Sequence, residues 1–259
     1  MYNGIHKKAF NWKKIGNRLK YLHLFTINQT LWSYIIYNIV EVKTFLNILN
    51  RVIPSDNKFV DGMNFAERLV KRTFDIVASF CGMIVLSPVY LYVYFRLHQQ
   101  ADGPVIFRQE RIGRGGRPFD ILKYRTMRMD SESDGVPQLA EKSDDRLTPV
   151  GKFLREHHLD ELPQLWNVFV GDMSFVGPRP ERQYFINQIM KENSDYEYLY
   201  QIRPGITSMA TIYNGYTDTM EKMLIRLQMD LEYLQKRSLW LDLRILLTTV
   251  RLIGYGKKI

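Results

Sequence analysis

The stretch from Ile76 to Phe95 reads IVASFCGMIVLSPVYLYVYF, twenty residues without a formal charge. No other part of the chain limits the possible fold so strongly. As one continuous helix it would be roughly 30 Å long, about the thickness of a bilayer's hydrocarbon core. Two features argue against a simple crossing. Ser87-Pro88 falls just past the middle, where proline removes a backbone donor and clashes with the preceding turn. Basic residues also stand on both sides, Lys71 and Arg72 before the run and Arg96, Arg108, Arg111 and Arg114 after it, so the positive-inside rule assigns no direction. A helix that enters the membrane, breaks at Ser87-Pro88 and returns to the same side fits both features. The Ser87 hydroxyl is then expected to satisfy a carbonyl freed at the break. Tyr90, Tyr92, Tyr94 and Phe95 suit the aromatic belt of an interface. The competing reading is a buried core helix of a soluble protein.

Charge supports the membrane. The net charge is +9, and residues 1–72 hold twelve Lys/Arg against four acids, a net of +8, while residues 73–259 are nearly balanced. A basic quarter next to an apolar run suits anionic lipid rather than nucleic acid, and no nucleic-acid partner is expected. A second uncharged stretch, Tyr21 to Val40, is broken by His23, Asn28, Gln29, Ser33 and Asn38. It reads as an amphipathic interfacial helix behind Lys7, Lys8, Lys13, Lys14, Arg18 and Lys20, with a soluble surface helix as the alternative. No secretory signal is expected near the N-terminus. Towards the other end, Met223, Leu227, Leu231 and Leu234 recur at helical spacing, and Ser238–Ile253 sets Trp240 among leucines near Arg244, Arg251, Lys257 and Lys258. That segment suits a core helix and a membrane-surface helix equally. At 46% hydrophobic and 24% charged the chain is globular in composition, and its single cysteine, Cys81, excludes a disulfide framework or a multi-cysteine metal site.

Residues 98–218 form a water-facing block rich in turns. Gly103-Pro104, Gly113 to Gly116, Gly177-Pro178 and Pro204-Gly205 punctuate short apolar runs, which suggests short strands and loops, and Asp130–Asp145 reads as a loop. Arg108, Arg111, Arg114, Arg125, Arg155, Arg179 and Arg203 stand beside these turns. Arginine at tight backbone suits phosphate, because its fork bonds oxyanions bidentately and nearby amides add donors. Asp160-Glu161 is the most informative acidic pair. Adjacent carboxylates need a cation, a proton or open water. Mg²⁺ suits them, as does direct attack of an aspartate on phosphorus; the plain alternative is a helix-start turn before Pro163. His157-His158 has no third nitrogen or sulfur ligand close by in sequence, so zinc is not expected.

The order of motifs identifies a resemblance. From about Phe65 to Ile253 the chain shows KRTFDIVAS, the Ser-Pro break, PVIFRQERIGRGGRPFDILKYRTM, DDRLTPVGKFLR, LDELPQLWNVFVGDMSFVGPRP, RPGIT and SLWLDLRILLTTV. Seven such strings in this order make it similar to the bacterial sugar transferases, the monotopic phosphoglycosyl transferases, of the small catalytic-core type. The resemblance implies transfer of a sugar-1-phosphate from a UDP-sugar to polyprenyl (undecaprenyl) phosphate with release of UMP. That reaction starts assembly of O-antigen, capsule, exopolysaccharide or another glycan, and implies downstream glycosyltransferases as partners. It implies Asp160 as the nucleophile of a covalent phosphosugar intermediate, Mg²⁺ held at Asp160 and Glu161, and Glu161 as metal ligand or activator of the lipid phosphate. It also implies Lys123, Arg125, Arg155 and Arg179 as contacts to the diphosphate or lipid phosphate, with Arg203 on the nucleotide side. The rivals are a non-catalytic membrane scaffold and a conventional glycosyltransferase that releases UDP. One segment departs from the pattern: Ser208-Met209-Ala210-Thr211 follows RPGIT where the family often has Gly-Trp-Ala-Gln, so the sugar cannot be carried over from relatives.

The expected architecture is α+β, mixed and helix-rich, with one re-entrant membrane segment and amphipathic interfacial helices. Residues 1–64 form the basic extension, 65–97 the re-entrant helix broken at Ser87-Pro88, 98–218 the cytoplasmic catalytic block and 219–259 the C-terminal helices. The expected place is the cytoplasmic face of a bacterial inner membrane.

Overall fold

The computed structural model describes residues 59–255, apart from 101–102, 130–144, 216 and 218. The expected interfacial helix at Tyr21–Val40 and nearly all of the Asp130–Asp145 loop lie outside the described residues.

Helix α1 (Phe65–Val85) starts on a capping box: the Asn64 side chain accepts from the Glu67 amide at 2.9 Å, and Glu67 accepts from the Asn64 amide at 3.1 Å. The chain breaks at Leu86 and continues as α2 (Ser87–His98), bent by 61° from α1. Pro88 lies in the first turn of α2, where its missing N–H leaves no ladder bond unmade. The sequence placed the break correctly but not its polar chemistry. No hydrogen bond from the Ser87 hydroxyl is present among the described residues. Ser79, two turns earlier, donates instead to Asp75 O at 2.6 Å. No single described helix is long and apolar enough to cross a membrane, although the bent pair is so when taken together.

The buried and exposed faces of α1 are reversed relative to a soluble helix. Lys71, Asp75 and Ser79, four residues apart, are its buried side chains, while Phe74, Val77, Phe80, Ile84 and Val85 face outward. Leu91, Tyr92 and Phe95 of α2 are exposed too. A buried core helix would show the opposite arrangement along α1, whereas α2 buries Val93 and Leu97.

Strands β1 (Ile106–Ile112) and β2 (Pro118–Tyr124) form an antiparallel hairpin in the register Arg108↔Leu122 and Glu110↔Asp120, closed by the turn Gly113–Arg117. Helix α3 (Pro149–Glu156) is capped by Thr148, whose hydroxyl accepts from the Gly151 amide at 2.9 Å. A 3₁₀ turn (Leu159–Glu161) leads into α4 (Gln164–Val170), which lies along α1 with Phe80 and Phe169 in ring contact. Asn167 of α4 holds β2 in place, accepting from the Leu122 amide at 3.0 Å and donating to Asp120 O at 2.8 Å. Strand β3 (Ser174–Val176) pairs in parallel with β4 (Gly205–Thr207). Their flanking turns touch backbone to backbone: a Cβ on Gly205 would collide with Gly177 N and O, so no other residue fits. Helix α5 (Gln183–Glu192), a 3₁₀ segment (Ser194–Gln201), α6 (Met209–Asn214), α7 (Met220–Lys236) and α8 (Leu239–Gly254) complete the described chain.

One core joins Ile112, Phe185, Ile186, Ile189, Leu199, Met223, Leu227 and Leu231, so the periodic leucines of α7 bury as their spacing predicts. A second joins α2 to the hairpin and α3 through Val93, Leu97, Tyr124 and Leu154. Helix α8 is not enclosed: Asp242 and Ile245 are its buried residues, while Trp240 (73% exposed), Leu243, Leu247 and Val250 face outward. The described residues form a mixed α and β fold, helix-rich with two small sheets, as expected.

Candidate active site

The acidic pair sits on the 3₁₀ turn between α3 and α4. His158, immediately before it, has φ 54°, and among the described residues it is the only non-glycine with positive φ. Such backbone costs about 1–3 kcal/mol and clusters at functional sites, where surrounding structure enforces it. Here it turns the chain sharply, bringing Glu161 against Lys123 of β2 and Arg179, and Asp160 near Lys123 and Arg155.

The two carboxylates are then driven apart electrostatically. Glu161 accepts from Lys123 Nζ at 2.8 Å, and a guanidinium nitrogen of Arg179 lies 4.0 Å from the same oxygen. Burial works to raise the Glu161 carboxyl, but Lys123, Arg179 and the lysine hydrogen bond outweigh it and hold the group at about 2. Asp160 is 7% exposed, and nothing among the described residues donates a hydrogen bond to its carboxylate. Burial first, and the charge of Glu161 second, push it up from the usual aspartate range, with Lys123, Arg155 and His158 pulling the other way. Two neighbouring acids with opposite shifts are a pattern suited to different tasks in one site.

The expected cations divide into those that gather here and those that do not. Lys123 lies on β2 against Glu161. Arg179 follows β3 and is 37% exposed at its side chain, open to a ligand. Arg155 of α3 acts on Asp160 and donates to Thr126 Oγ1 at 3.1 Å. Arg125 does not join them. Only 4% exposed, it donates to Pro104 O at 3.2 Å and Leu97 O at 3.5 Å, so its bonds tie the end of α2 to the hairpin rather than turning towards the acidic pair. Arg203 donates to Gly171 O at 2.8 Å and lies in a second basic group with Arg72 and Arg114. Arg72 in turn donates to the last carbonyls of α4, Val168 O at 2.7 Å and Phe169 O at 2.9 Å. Sequence reading took Arg72 as a membrane flank and missed this role. Only its position inside an apolar helix hinted at a buried partner.

Asp160 and Glu161 offer oxygen donors alone, which suit a hard cation. Among the described residues no group of three or more His, Cys, Asp or Glu could hold a metal ion. Asp160 and Glu161 are the residues that would hold Mg²⁺, a cation that keeps waters and substrate oxygens around one or two carboxylates.

Comparison with known proteins places the chain in a family. Residues 66–255 match the family described as bacterial sugar transferase. The chain is 40% identical over 191 residues to the UDP-N-acetylgalactosamine-undecaprenyl-phosphate N-acetylgalactosaminephosphotransferase of Aeromonas hydrophila, covering 73% of this chain and 45% of that protein. It is 42% identical over 201 residues to the UDP-glucose:undecaprenyl-phosphate glucose-1-phosphate transferase of Klebsiella pneumoniae, covering 77% and 42%. With a protein of the same description from Caulobacter vibrioides it shares 43% identity over 184 residues, covering 70% and 68%. The chain thus spans less than half the length of the Aeromonas and Klebsiella relatives. The matched span runs from α1 through the acidic pair to the end of α8, and the chain belongs to the bacterial sugar transferase family.

Proposed function

We propose that this chain transfers a sugar-1-phosphate from a UDP-sugar to undecaprenyl phosphate, releasing UMP. One observation carries the reading: an acid pair with opposed shifts, set beside an exposed arginine, in a chain of this family. The ionised Asp160 carboxylate attacks the phosphorus that bears the sugar. The bond from that phosphorus to the bridging oxygen breaks, UMP leaves with the oxygen, and the phosphosugar remains on Asp160 as an acyl phosphate. An oxygen of the lipid phosphate then attacks the same phosphorus and Asp160 departs as carboxylate. Two anionic substrates never have to be pressed together.

Arg179 and Arg155 hold the phosphates, and Lys123 keeps Glu161 ionised. Arg203, with Arg72 and Arg114 near, serves the nucleotide side. A carboxylate held at about 2 is too weak a base to take a proton near neutral pH. Glu161 is therefore assigned to charge and metal binding rather than to activation of the lipid phosphate. Mg²⁺ held by Asp160 and Glu161 would neutralise the diphosphate and the leaving UMP.

The deciding experiment gives purified protein Mg²⁺, undecaprenyl phosphate and a panel of UDP-sugars, and resolves the released nucleotide. UMP from one sugar is expected. UDP would identify a conventional glycosyltransferase, and no nucleotide from any sugar would favour a scaffold.

The outward apolar faces of α1, α2 and α8 support a re-entrant seat on the cytoplasmic face of the inner membrane, where the lipid phosphate is also presented. A cysteine placed at Gln99 and one placed at Asn64, in a Cys81→Ser background, should both react with an impermeant thiol reagent from the cytoplasmic side only. Labelling from opposite sides would mean that the helix pair crosses. Pro88→Ala should weaken the bend and move the pair towards that crossing.

A further inference from the structure

The reaction as proposed leaves unused a buried charged cluster behind the turn Pro178-Arg179-Pro180. Glu181, next after that turn, accepts from Arg226 of α7 at 2.5 Å on one oxygen and from Arg111 of β1 at 3.4 Å on the other. The same Arg111 nitrogen donates to Pro180 O at 3.1 Å, and Glu181 O accepts from the Ile112 amide at 3.0 Å. Arg226 is tethered at its far end to Thr217 Oγ1. Asp230, one turn beyond Arg226 on α7, is 2% exposed, and its Oδ1 has no hydrogen-bond partner among the described residues. Arg179, Glu181, Tyr196, Arg226 and Asp230 line one small cavity.

We propose that Arg111, Glu181, Arg226 and Asp230 form a clamp that positions Arg179 towards the acidic pair, with Asp230 as its protonation-sensitive member. The inference rests on the reading of Arg179 as a phosphate contact. Glu181 fixes the turn because a buried carboxylate between two guanidiniums has one well-paired geometry, and Arg111 grips the turn's own carbonyl as well. Neutral Asp230 leaves Arg226 to Glu181 and Thr217. Ionised Asp230 draws on the same guanidinium and loosens the grip. Burial, with Glu181 adding to it and Arg226 opposing, raises Asp230 to about 7, so this exchange falls in the working range. The other groups around Asp230 are Tyr196, whose own ionisation burial pushes far up, and Arg179 across the cavity.

The test uses Glu181→Gln, Glu181→Asp and Asp230→Asn in the full chain. Thermal midpoint, kcat/KM for the UDP-sugar that the nucleotide assay selects, and hydrogen–deuterium exchange of the 175–184 peptide are measured from pH 6 to 8.5. Glu181→Asp keeps the charge but is one methylene short. It should restore the thermal midpoint lost in Glu181→Gln while kcat/KM stays down by on the order of 10- to 100-fold, as expected for a misplaced contact. In the wild type, kcat/KM should fall and the turn's exchange, corrected for the intrinsic rate, should rise as pH passes about 7. Asp230→Asn should remove both trends. Wild-type kcat/KM in Glu181→Asp, or profiles of Asp230→Asn that superimpose on the wild type, would overturn the clamp. If the wild type releases no UMP from any UDP-sugar, the transferase reading fails, and the exchange data alone decide whether the cluster governs the turn.

Discussion

Asp160→Asn should reduce UMP release by on the order of 10⁴-fold or more, as loss of a covalent nucleophile does, and should end trapping of labelled sugar phosphate on the protein. The substitution keeps the shape of the side chain and removes only the carboxylate to which the proposed reaction assigns the attack on phosphorus. It should also stabilise the fold at neutral pH. The folded protein raises the Asp160 carboxyl, so it favours the protonated form. As pH rises above the ordinary aspartate range, the folded state must therefore ionise a group that the unfolded chain ionises more easily, and stability falls. Asparagine does not ionise, so its advantage in thermal midpoint should be largest at neutral pH and vanish as pH drops below that range. Catalysis has the opposite dependence, because attack needs the ionised form. The acid limb of the wild-type kcat/KM profile should belong to Asp160 and lie above the usual aspartate range, while Glu161 stays charged down to about 2. An inactive, more stable Asp160→Asn is the signature of a group strained for its task. A variant that keeps a tenth of wild-type turnover would remove Asp160 from the nucleophile role.

The sequence-level reading succeeded where one residue type admits few conformations. Ser87-Pro88 marked the break between α1 and α2, because proline is tolerated only in a helix's first turn. Gly177-Pro178 and Pro204-Gly205 marked turns, and the structure shows why they come as a pair: the two glycines meet backbone to backbone between β3 and β4. The acidic pair was legible because adjacent carboxylates demand an unusual setting. The partners of charged groups were not legible, since pairing joins positions distant in sequence. Lys71 finds Asp242 across 171 residues, and Glu181 finds Arg226 across 45. Arg125 and Arg179 each stand beside a turn, yet Arg125 is spent on backbone carbonyls and Arg179 faces the acids. Their different burial arises from packing around α2, which no local pattern encodes. The outward apolar face of α8 escaped for a related reason: period and composition give the stripe of an amphipathic helix but not the side on which the protein lies.

Asp242→Ala should be among the most destabilising substitutions in the chain, costing roughly 3–5 kcal/mol, as does removal of one partner from a buried ion pair. Lys71 Nζ lies 2.5 Å from Asp242 Oδ2 and 3.0 Å from Val176 O, and the Tyr233 hydroxyl donates to Asp242 Oδ1 at 2.6 Å. All three side chains are buried. They join α1, α7 and α8 at the carbonyl that ends β3, three residues before Arg179. Alanine would leave the Lys71 ammonium and the tyrosine hydroxyl without their acceptor in a site that water does not reach. For a chain of this size the loss corresponds to a fall of roughly 10 °C in thermal midpoint. The charge itself should matter less than its pairing. Lys71→Met combined with Asp242→Asn removes both charges together and keeps an acceptor for Tyr233, so the double variant should recover most of the stability lost in Asp242→Ala. It should recover activity less completely, because Val176 O has lost the ammonium that fixed it ahead of the arginine turn. If Asp242→Ala costs less than about 1 kcal/mol, the pair is solvated as a surface salt bridge is. In that case α1 is not locked against α8 when the protein is at work, and the apolar faces of the two helices move independently.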